Sequence, residues 1–490
     1  MVTFVLSATW VAASNMVEGV IYPGYAWVGS QNRVYVASGL NDPLLITYSP
    51  LTQIYDPVTD SWNTGGTVLS PMWVLAGAYV GDTFYVFGGE DPSTASYSNT
   101  NRKYNVPASL WSYGPSLPDG RAGLGAAGFG GKIYLAGGYS NCGLFTCTVY
   151  NTTWEYDPST GTYTTKSNLP TTLAEGVLIT SEPFAGIGLF YVSGYTSVSF
   201  GVPTLSSTIY RYDPLSDSWV SVGNYPAPAR YQLGAVFLPD TSIWVIGGAD
   251  AGGNVYANVD RCKLNAPLTA CDWTSYDPPD LPAGRDALVV TLADTTPPRP
   301  DSLPVDTVSC LIKVDSAFVT ARRRILVAGG SDGSSPQATA WTLVPDTLQV
   351  VYYLSNALST RTSVYVRTPS SGTGYFGPIA DTFIVPTGDT ACLDSVLFYE
   401  KETGFRYVSR PGICVSCVPT GSEGELGVGE RKSKSQEPFI LIGRTLVPQT
   451  YVEVFSPDGR TVYRGKGSTL LKPGVYFVRS RDKITRVMVR

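Results

Sequence analysis

The sequence predicts an all-β chain: a β-propeller of about seven blades followed by a small C-terminal β-sandwich. Three observations predict it. Apolar strands ending in glycine recur about every fifty residues, a tyrosine-centred hairpin follows most of them, and glycine and proline punctuate the chain too often for long helices.

The recurring strands are VYVASG ending at Gly39, FYVFGG at Gly89, IYLAGG at Gly138, FYVSG at Gly194, IWVIGG at Gly248, ILVAGG at Gly330 and TFIVPTG at Gly388. Their spacings are 50, 49, 56, 54, 82 and 58 residues. The hairpins are IYDPVTDSW (54–62), KYNVPASLW (103–111), EYDPSTGTY (155–163), RYDPLSDSW (211–219) and FYEKETGFRY (398–407), with weaker copies at 260–273 and 341–353. Glycine permits positive φ and close approach of a neighbouring sheet. Asp-Pro with a Ser/Thr-Asp/Gly pair builds the turn, because short polar side chains bond their own backbone. The Trp or Tyr that follows is large enough to fill the gap between sheets. One small sheet cannot bury both faces alone; radial stacking of such sheets does so.

This pattern resembles the kelch-repeat family. The likeness is carried by Gly88-Gly89, Gly137-Gly138, Gly247-Gly248 and Gly329-Gly330, by Tyr55, Tyr104, Tyr156 and Tyr212, and by Trp62, Trp111, Tyr163 and Trp219. It spans about residues 16–413 and implies a kelch-type β-propeller. The expected organisation is a strand or arm over 1–15, the propeller over 16–417, a linker over 418–438 and a C-terminal β domain over 439–490. Segment 1–15 lacks the basic region of a secretory leader and reads as an ordered strand. Trp10 stands where a blade's outer strand would sit, so this segment either closes the ring on the last blade or pairs with a second subunit. The linker is polar and glycine-rich.

In the tail, VEVFSPDGR (452–460), LKPGVYFVR (471–479) and the closing strand Thr485 to Arg490 resemble the C-terminal sorting domain of bacterial type IX secretion substrates. The resemblance implies export to the extracellular space or cell surface. The Asn-Pro opening usual in that family is not visible, and the plain reading is an Ig-like accessory domain.

Composition narrows the function. Charged residues are 15% of the chain, against roughly a quarter in an average globular protein. Net charge is −5, which argues against nucleic acid as a partner. No apolar run is long enough for a membrane span. Histidine is absent, which excludes His-based acid–base chemistry, Ser-His and Cys-His dyads, His-ligated metals and the copper chemistry of galactose oxidases. No cofactor and no metal are expected. The eight cysteines point to disulfides and an oxidising compartment. Cys142 with Cys147, and Cys262 with Cys271, are close pairs. Cys414 and Cys417 form a third, and connectivity among Cys310, Cys392, Cys414 and Cys417 is open.

Candidate binding loops connect the second and third strands of each blade: 40–52, 90–101, 139–152, 195–207 and 249–257. They carry Tyr, Ser, Asn, Thr and Gly, as adaptable binding loops do. Arg121, Arg230, Arg285 and Arg361 each precede a new blade. They either ring the channel mouth and hold a carboxylate of a sialic or uronic acid, or bond carbonyls of a neighbouring blade. A proline-rich excursion, 293–306, falls within the sixth blade, and Asn151-Thr152-Thr153 is a lone glycosylation sequon. The expected function is a secreted or cell-surface structural or interaction protein, more a binder than an enzyme. It would bind a glycan or protein, or assemble into a polymer through its terminal strands. The alternative is a sialic-acid mutarotase-like kelch enzyme acting on an acidic sugar.

Overall fold

Arg33–Ala37, Thr83–Phe87, Ser242–Ile246 and Ile325–Ala328 are almost entirely buried along their length. Strands covered on both faces read as continuous apolar runs rather than alternating ones. Each is the second strand of a blade, flanked by its neighbours above and below. The computed structural model describes residues 8–418 except 92–93, 95, 144–145, 301, 356–360 and 367–373, and beyond them the strands within 439–489.

Six four-stranded blades form the ring. From the axis outward, the first holds Gly24–Val28, Arg33–Ala37, Thr52–Asp56 and Ser61–Thr64. The second holds Ala76–Val80, Thr83–Phe87, Asn101–Asn105 and Leu110–Tyr113. The third holds Ala122–Phe129, Lys132–Ser140, Thr153–Asp157 and Thr162–Lys166. The fourth holds Val177–Thr180, Leu189–Ser199, Val202–Asp213 and Ser218–Asn224. The fifth holds Gly234–Phe237, Ser242–Ile246, Val259–Leu264 and Cys271–Asp272. The sixth takes Val289–Leu292, Ile325–Ala328 and Ala340–Pro345 from one end of the chain and Ala8–Ala13 from the other. Ala8 pairs with Pro345 and Ala13 with Ala340. The N-terminal strand is thus held inside its own ring and is not an arm for a second subunit.

The sequence motifs are the joints between blades. Gly89, Gly138, Gly248 and Gly330 have positive φ and donate their N–H groups to the carbonyls of Arg121, Leu173, Arg285 and Val20, where the next blade begins. A side chain on Gly88 would meet the carbonyl of Arg121, and one on Gly137 that of Leu173. Blade-closing aromatics reach the other way. Trp62 donates to the Ser14 carbonyl, Trp111 to the Thr52 hydroxyl and Trp219 to the Ser167 carbonyl, at 2.8, 2.8 and 3.0 Å.

The ring has six blades where the glycine runs predict about seven. The run ending at Gly388 and the hairpin 398–407 lie in a β-sandwich, not in the ring. One sheet joins Val305–Val308, Leu311–Thr320 and Tyr375–Ile384. The other joins Arg361–Val366, Thr347–Ser355, Thr390–Glu400 and Arg406–Ser409, with Ile413–Ser416 also pairing on Thr390–Glu400. Ile312, Val350, Phe376, Ile379 and Phe398 fill its core. The physical reason is the N-terminal strand: it fills the outer place of the sixth blade, so the chain after Pro345 is released to build elsewhere. The sandwich therefore borrows 305–320 from an insertion in the sixth blade and the rest from 347–417. Cys310–Cys417 ties these two parts together, and Cys392–Cys414 lies within the second. Cys414 and Cys417 are not bonded to each other.

The sandwich docks by the hairpin turn at 401–405. Phe405 is buried in a core shared with Trp10, Trp244 and Leu292 and meets Phe184 edge-on at 5.4 Å. Arg324 and Glu400, both fully buried, form a two-pronged ion pair at 2.7 and 2.6 Å. This contact lies on the side of the first-to-second-strand turns, opposite the candidate binding loops.

The linker call at 418–438 lies outside the described residues from 419 onward. Within 439–490, Phe439–Ile442, Thr445–Pro448 and Thr469–Leu470 form one sheet. Thr461–Gly465, Val452–Phe455, Gly474–Ser480 and Lys483–Val489 form another.

Candidate functional site

Each blade contributes one residue with positive φ where its innermost strand begins: Tyr22, Val74, Gly123, Glu175, Gln232 and Ala287. These residues lace into a closed circle around the axis. Tyr22 N–H donates to the Ala287 carbonyl, Ala287 to Gln232, Gln232 to Glu175, Glu175 to Gly123, Gly123 to Val74, and Leu75 to Tyr22, over 2.8–3.3 Å. Below the circle runs a channel of about 600 Å³, lined largely by Gly, Ala, Val and Leu of the inner strands. The close approach of those strands needs small residues. A side chain on Gly125 would meet Leu178, and one on Gly234 would meet Val290.

At the mouth, the residue before each circle position pairs with the residue after the glycine motif: Trp73 with Glu90, Ala174 with Tyr195, Tyr231 with Ala249, Asp286 with Ser331. Aromatic rings from five blades meet there. Tyr22 and Trp73 pack edge-on at 5.3 Å. Tyr97, Tyr139, Tyr195 and Tyr231 follow one another at 5.8–6.0 Å. Three carboxyl groups share the space. Glu175 Oε2 accepts from Tyr22 at 3.1 Å and Gln232 at 2.8 Å, and Glu90 accepts from Tyr139 at 2.6 Å. Asp286 Oδ1 and the Trp73 indole nitrogen are buried without a partner among the described residues. Burial, with a smaller contribution from neighbouring carboxylates, pushes Glu175 up to about 7 and Asp286 up to about 6. Burial also raises Glu90.

The arginines are elsewhere. Arg121, Arg230 and Arg285 are buried, and each turns into the blade that it precedes. Arg121 donates to the Gly137 carbonyl at 3.2 Å and to Thr152, and lies 3.8 Å over the Tyr150 ring. Arg230 bonds the Asn258 carbonyl and Asp260. Arg285 bonds Thr339 at 2.8 Å and lies over Trp341. Arg361 is in the sandwich, where its backbone pairs with Tyr352. The guanidinium groups of Arg121, Arg230 and Arg285 thus lie in three different blades rather than together at the mouth. Desolvation favours guanidinium groups held against carbonyls and rings over groups left idle at a mouth. In the sequon, Asn151 donates to the Leu169 carbonyl and Thr152 accepts from Arg121.

The rim carries Cys142–Cys147, whose loop is held to the preceding blade by the Cys142 N–H bonded to Tyr97 at 3.1 Å. Leu44 and Leu45 stand on a turn whose N–H groups are fixed by Asp42. Sequence reasoning missed Tyr22, Glu175 and Asp286. A signal was present: the six rim loops, 40–48, 90–97, 140–149, 195–207, 249–256 and 331–337, contain Asp42, Glu90, Asp91, Asp250 and Asp332 but not one Lys or Arg.

A model of the Kelch motif matches residues 120–170, which is the third blade. Beta-scruin of Limulus polyphemus is 26% identical over 232 residues, covering 45% of this chain and 24% of that protein. Kelch-like protein terF of Aspergillus terreus is 27% identical over 244 residues, covering 46% of this chain and 50% of that protein. The N-acetylneuraminate epimerase of Pasteurella multocida is 25% identical over 209 residues, covering 36% of this chain and 53% of that protein. The chain thus spans between a quarter and about half the length of these relatives. A solved structure of YjhT aligns with TM-score 0.48 and 15% identity over 72% of this chain and 99% of its own. With its glycine joints, its blade-closing aromatics and a Kelch motif over residues 120–170, the chain is similar to kelch-repeat proteins.

Proposed function

We propose that this chain is an extracellular or cell-surface interaction protein that binds a protein partner on the rim of its propeller. The observation that carries the reading is the rim itself. Leu44 is 92% exposed and Phe200 78% exposed, at the tips of loops from blades one and four. Exposed apolar side chains on fixed turns supply the core of an interface at small ordering cost. The kelch-like relatives agree with a binding role. The sandwich occupies the opposite side and does not cover the rim. Four disulfides pair all eight cysteines, which supports an oxidising compartment. The type IX-like tail supports export by that route.

The test compares immobilised wild-type chain with L44D/F200D, each exposed to proteins released from the surface of the source cells. A partner kept by wild type, lost by the variant at unchanged melting temperature, and bound again as a purified protein supports the reading. Equal retention by both overturns it. Alkylation of the native protein in its cells reports the compartment: eight modified thiols would contradict export.

A second reading draws on the epimerase relative: catalysis on an acidic sugar. The mouth opposes it, because its carboxyl groups repel an anion and its arginines face away. Anomer exchange of N-acetylneuraminic acid followed by NMR decides it, and a rate equal to buffer retires it.

A further inference from the structure

We propose that the channel mouth is a pocket for one cationic side chain, lysine or arginine, of a basic protein partner seated on the rim. This rests on the binding-face reading above and adds the chemistry of its centre. Glu175 and Asp286 supply the charge, and the Tyr22, Trp73, Tyr195 and Tyr231 rings supply the walls.

Three observations carry it. First, the mouth holds buried polar groups with no partner among the described residues. The Tyr195 ring is 4% exposed and lies in the field of Glu175 and Glu90. Asp286 Oδ1 and the Trp73 indole N–H are buried with no partner among the described residues. A buried polar atom without a partner costs about 1–3 kcal/mol, so its persistence marks a missing ligand or a function. Second, Glu175 is held from one side only. Both its donors, Tyr22 and Gln232, reach Oε2, and Oε1 has no bond to a described residue. A cation arriving from the mouth completes the carboxylate. Third, the whole face has one sign. The rim loops carry five acidic residues and no basic one, Arg121, Arg230 and Arg285 turn into their own blades, and Arg102 is buried against the Gly88 carbonyl. Such a face steers a basic partner and repels an acidic one.

The ring faces suit the same ligand. Ammonium and guanidinium groups bind over aromatic faces, more strongly when desolvated. A neutral sugar would use the rings and acceptors but gains nothing from the carboxylates' charge.

The probe is a fluorescein-labelled peptide, Gly-Ser-Lys-Ser-Gly, compared with versions bearing arginine, norleucine or glutamate at the centre, read by polarisation on the full chain. Lysine or arginine should bind at least ten times more tightly than norleucine, with the preferred cation identifying the partner's side chain. Raising salt from 50 to 500 mM should weaken the preference several-fold, on the scale of charge screening. E175Q/D286N should erase it. Y195F, which keeps the ring and so the packing, should reduce it. Equal binding of lysine and norleucine peptides overturns the proposal, as does competition by methyl β-glucoside together with indifference to charge. If the rim variant loses its protein partner while the peptides show no charge preference, the binding face stands and the cation pocket falls.

Discussion

The backbone N–H of Tyr22 donates to the carbonyl of Ala287 at 3.0 Å, and this bond joins the first blade to the last. It closes the circle only if the sixth blade is complete, which requires strand Ala8–Ala13. Trp10 anchors that strand: its indole N–H donates to the Pro279 carbonyl at 2.8 Å, and its ring is buried beside Leu343 and Leu292. Trp10→Ala should lower stability by about 3–5 kcal/mol, as for large aromatic truncations in cores. Urea unfolding monitored by circular dichroism measures it. A loss under about 1 kcal/mol would mean that the strand is not what closes the ring.

Arg324 and Glu400 tie the propeller to the sandwich. Arg324 also donates to the carbonyls of Asp294 and Thr296 at 2.8 and 2.7 Å, and Thr403 donates to Glu400 at 2.7 Å. Breaking a buried pair from one side leaves an uncompensated charge and costs about 3–5 kcal/mol. Arg324→Met alone and Glu400→Leu alone should each lose that much. The double variant should lose clearly less than the sum, and a double-mutant cycle by chemical denaturation reads the difference.

Much of this fold is legible from glycine and tyrosine. The motifs at Gly89, Gly138, Gly248 and Gly330 mark true blade joints, because each glycine packs on the carbonyl that begins the next blade. The run at Gly388 has the same look for a different reason. Any antiparallel sandwich also alternates apolar strands with tight turns, and nothing local says which neighbour a strand will have. The closing partner of Ala340–Pro345 is more than 300 residues away in sequence, so local pattern could not show that the strand after Pro345 was free to leave. The site was half legible. The loops were placed, but the arginines misled, since a guanidinium is as useful for stapling a blade as for holding a ligand. Glu175 and Asp286 belong to no motif, and only the ring brings them together.

Cys310–Cys417 closes 107 residues and joins the two separate stretches of the sandwich. Loop-closure entropy for that length is worth about 4–5 kcal/mol in the chain-entropy model. Cys142–Cys147, separated by 5 residues, constrains the unfolded chain far less. C310S/C417S should therefore lower the denaturation midpoint strongly, whereas C142S/C147S should leave it nearly unchanged. Equal effects would refute the assignment of the long bridge as the sandwich's main clamp.

Glu402 is 1% exposed, and neither carboxyl oxygen has a partner among the described residues. Burial pushes it up to about 8, with Glu400 and Asp346 adding to the rise. In the unfolded chain a glutamate releases its proton near about 4.3. Between those values the folded chain holds the extra proton, so stability falls as pH rises, with a slope of up to about 1.4 kcal/mol per pH unit. The contribution is whole below about pH 4 and lost above about pH 8. Urea midpoints should drop from pH 5 to pH 8 in wild type, and E402Q should flatten that trend.

Binding at the mouth should respond to pH in the opposite sense. Glu175 rises to about 7 through burial, with Glu90 and Asp286 adding to it, and Gln232 and Tyr22 holding it down. Asp286 rises to about 6 through burial and Asp332, while backbone bonds at Asp286 and Ser331 pull it back. Arg285, next in sequence, is bonded to Thr339. Tyr139, Tyr195 and Tyr231 face the same space and stay protonated, since burial raises each of them. At pH 5 both carboxyl groups therefore hold protons and the mouth offers a cation little. As pH climbs through 6 and 7 they ionise, while a lysine stays charged to about 10.4. Affinity for the lysine peptide should rise about tenfold from pH 5 to pH 8 and then level off. Near pH 6.5 the arriving cation should expel protons from Glu175 and Asp286. Calorimetry in buffers of different ionisation enthalpy then reports proton release in wild type and none in E175Q/D286N. A flat profile, or proton uptake, would place the charge recognised by the peptide outside this mouth.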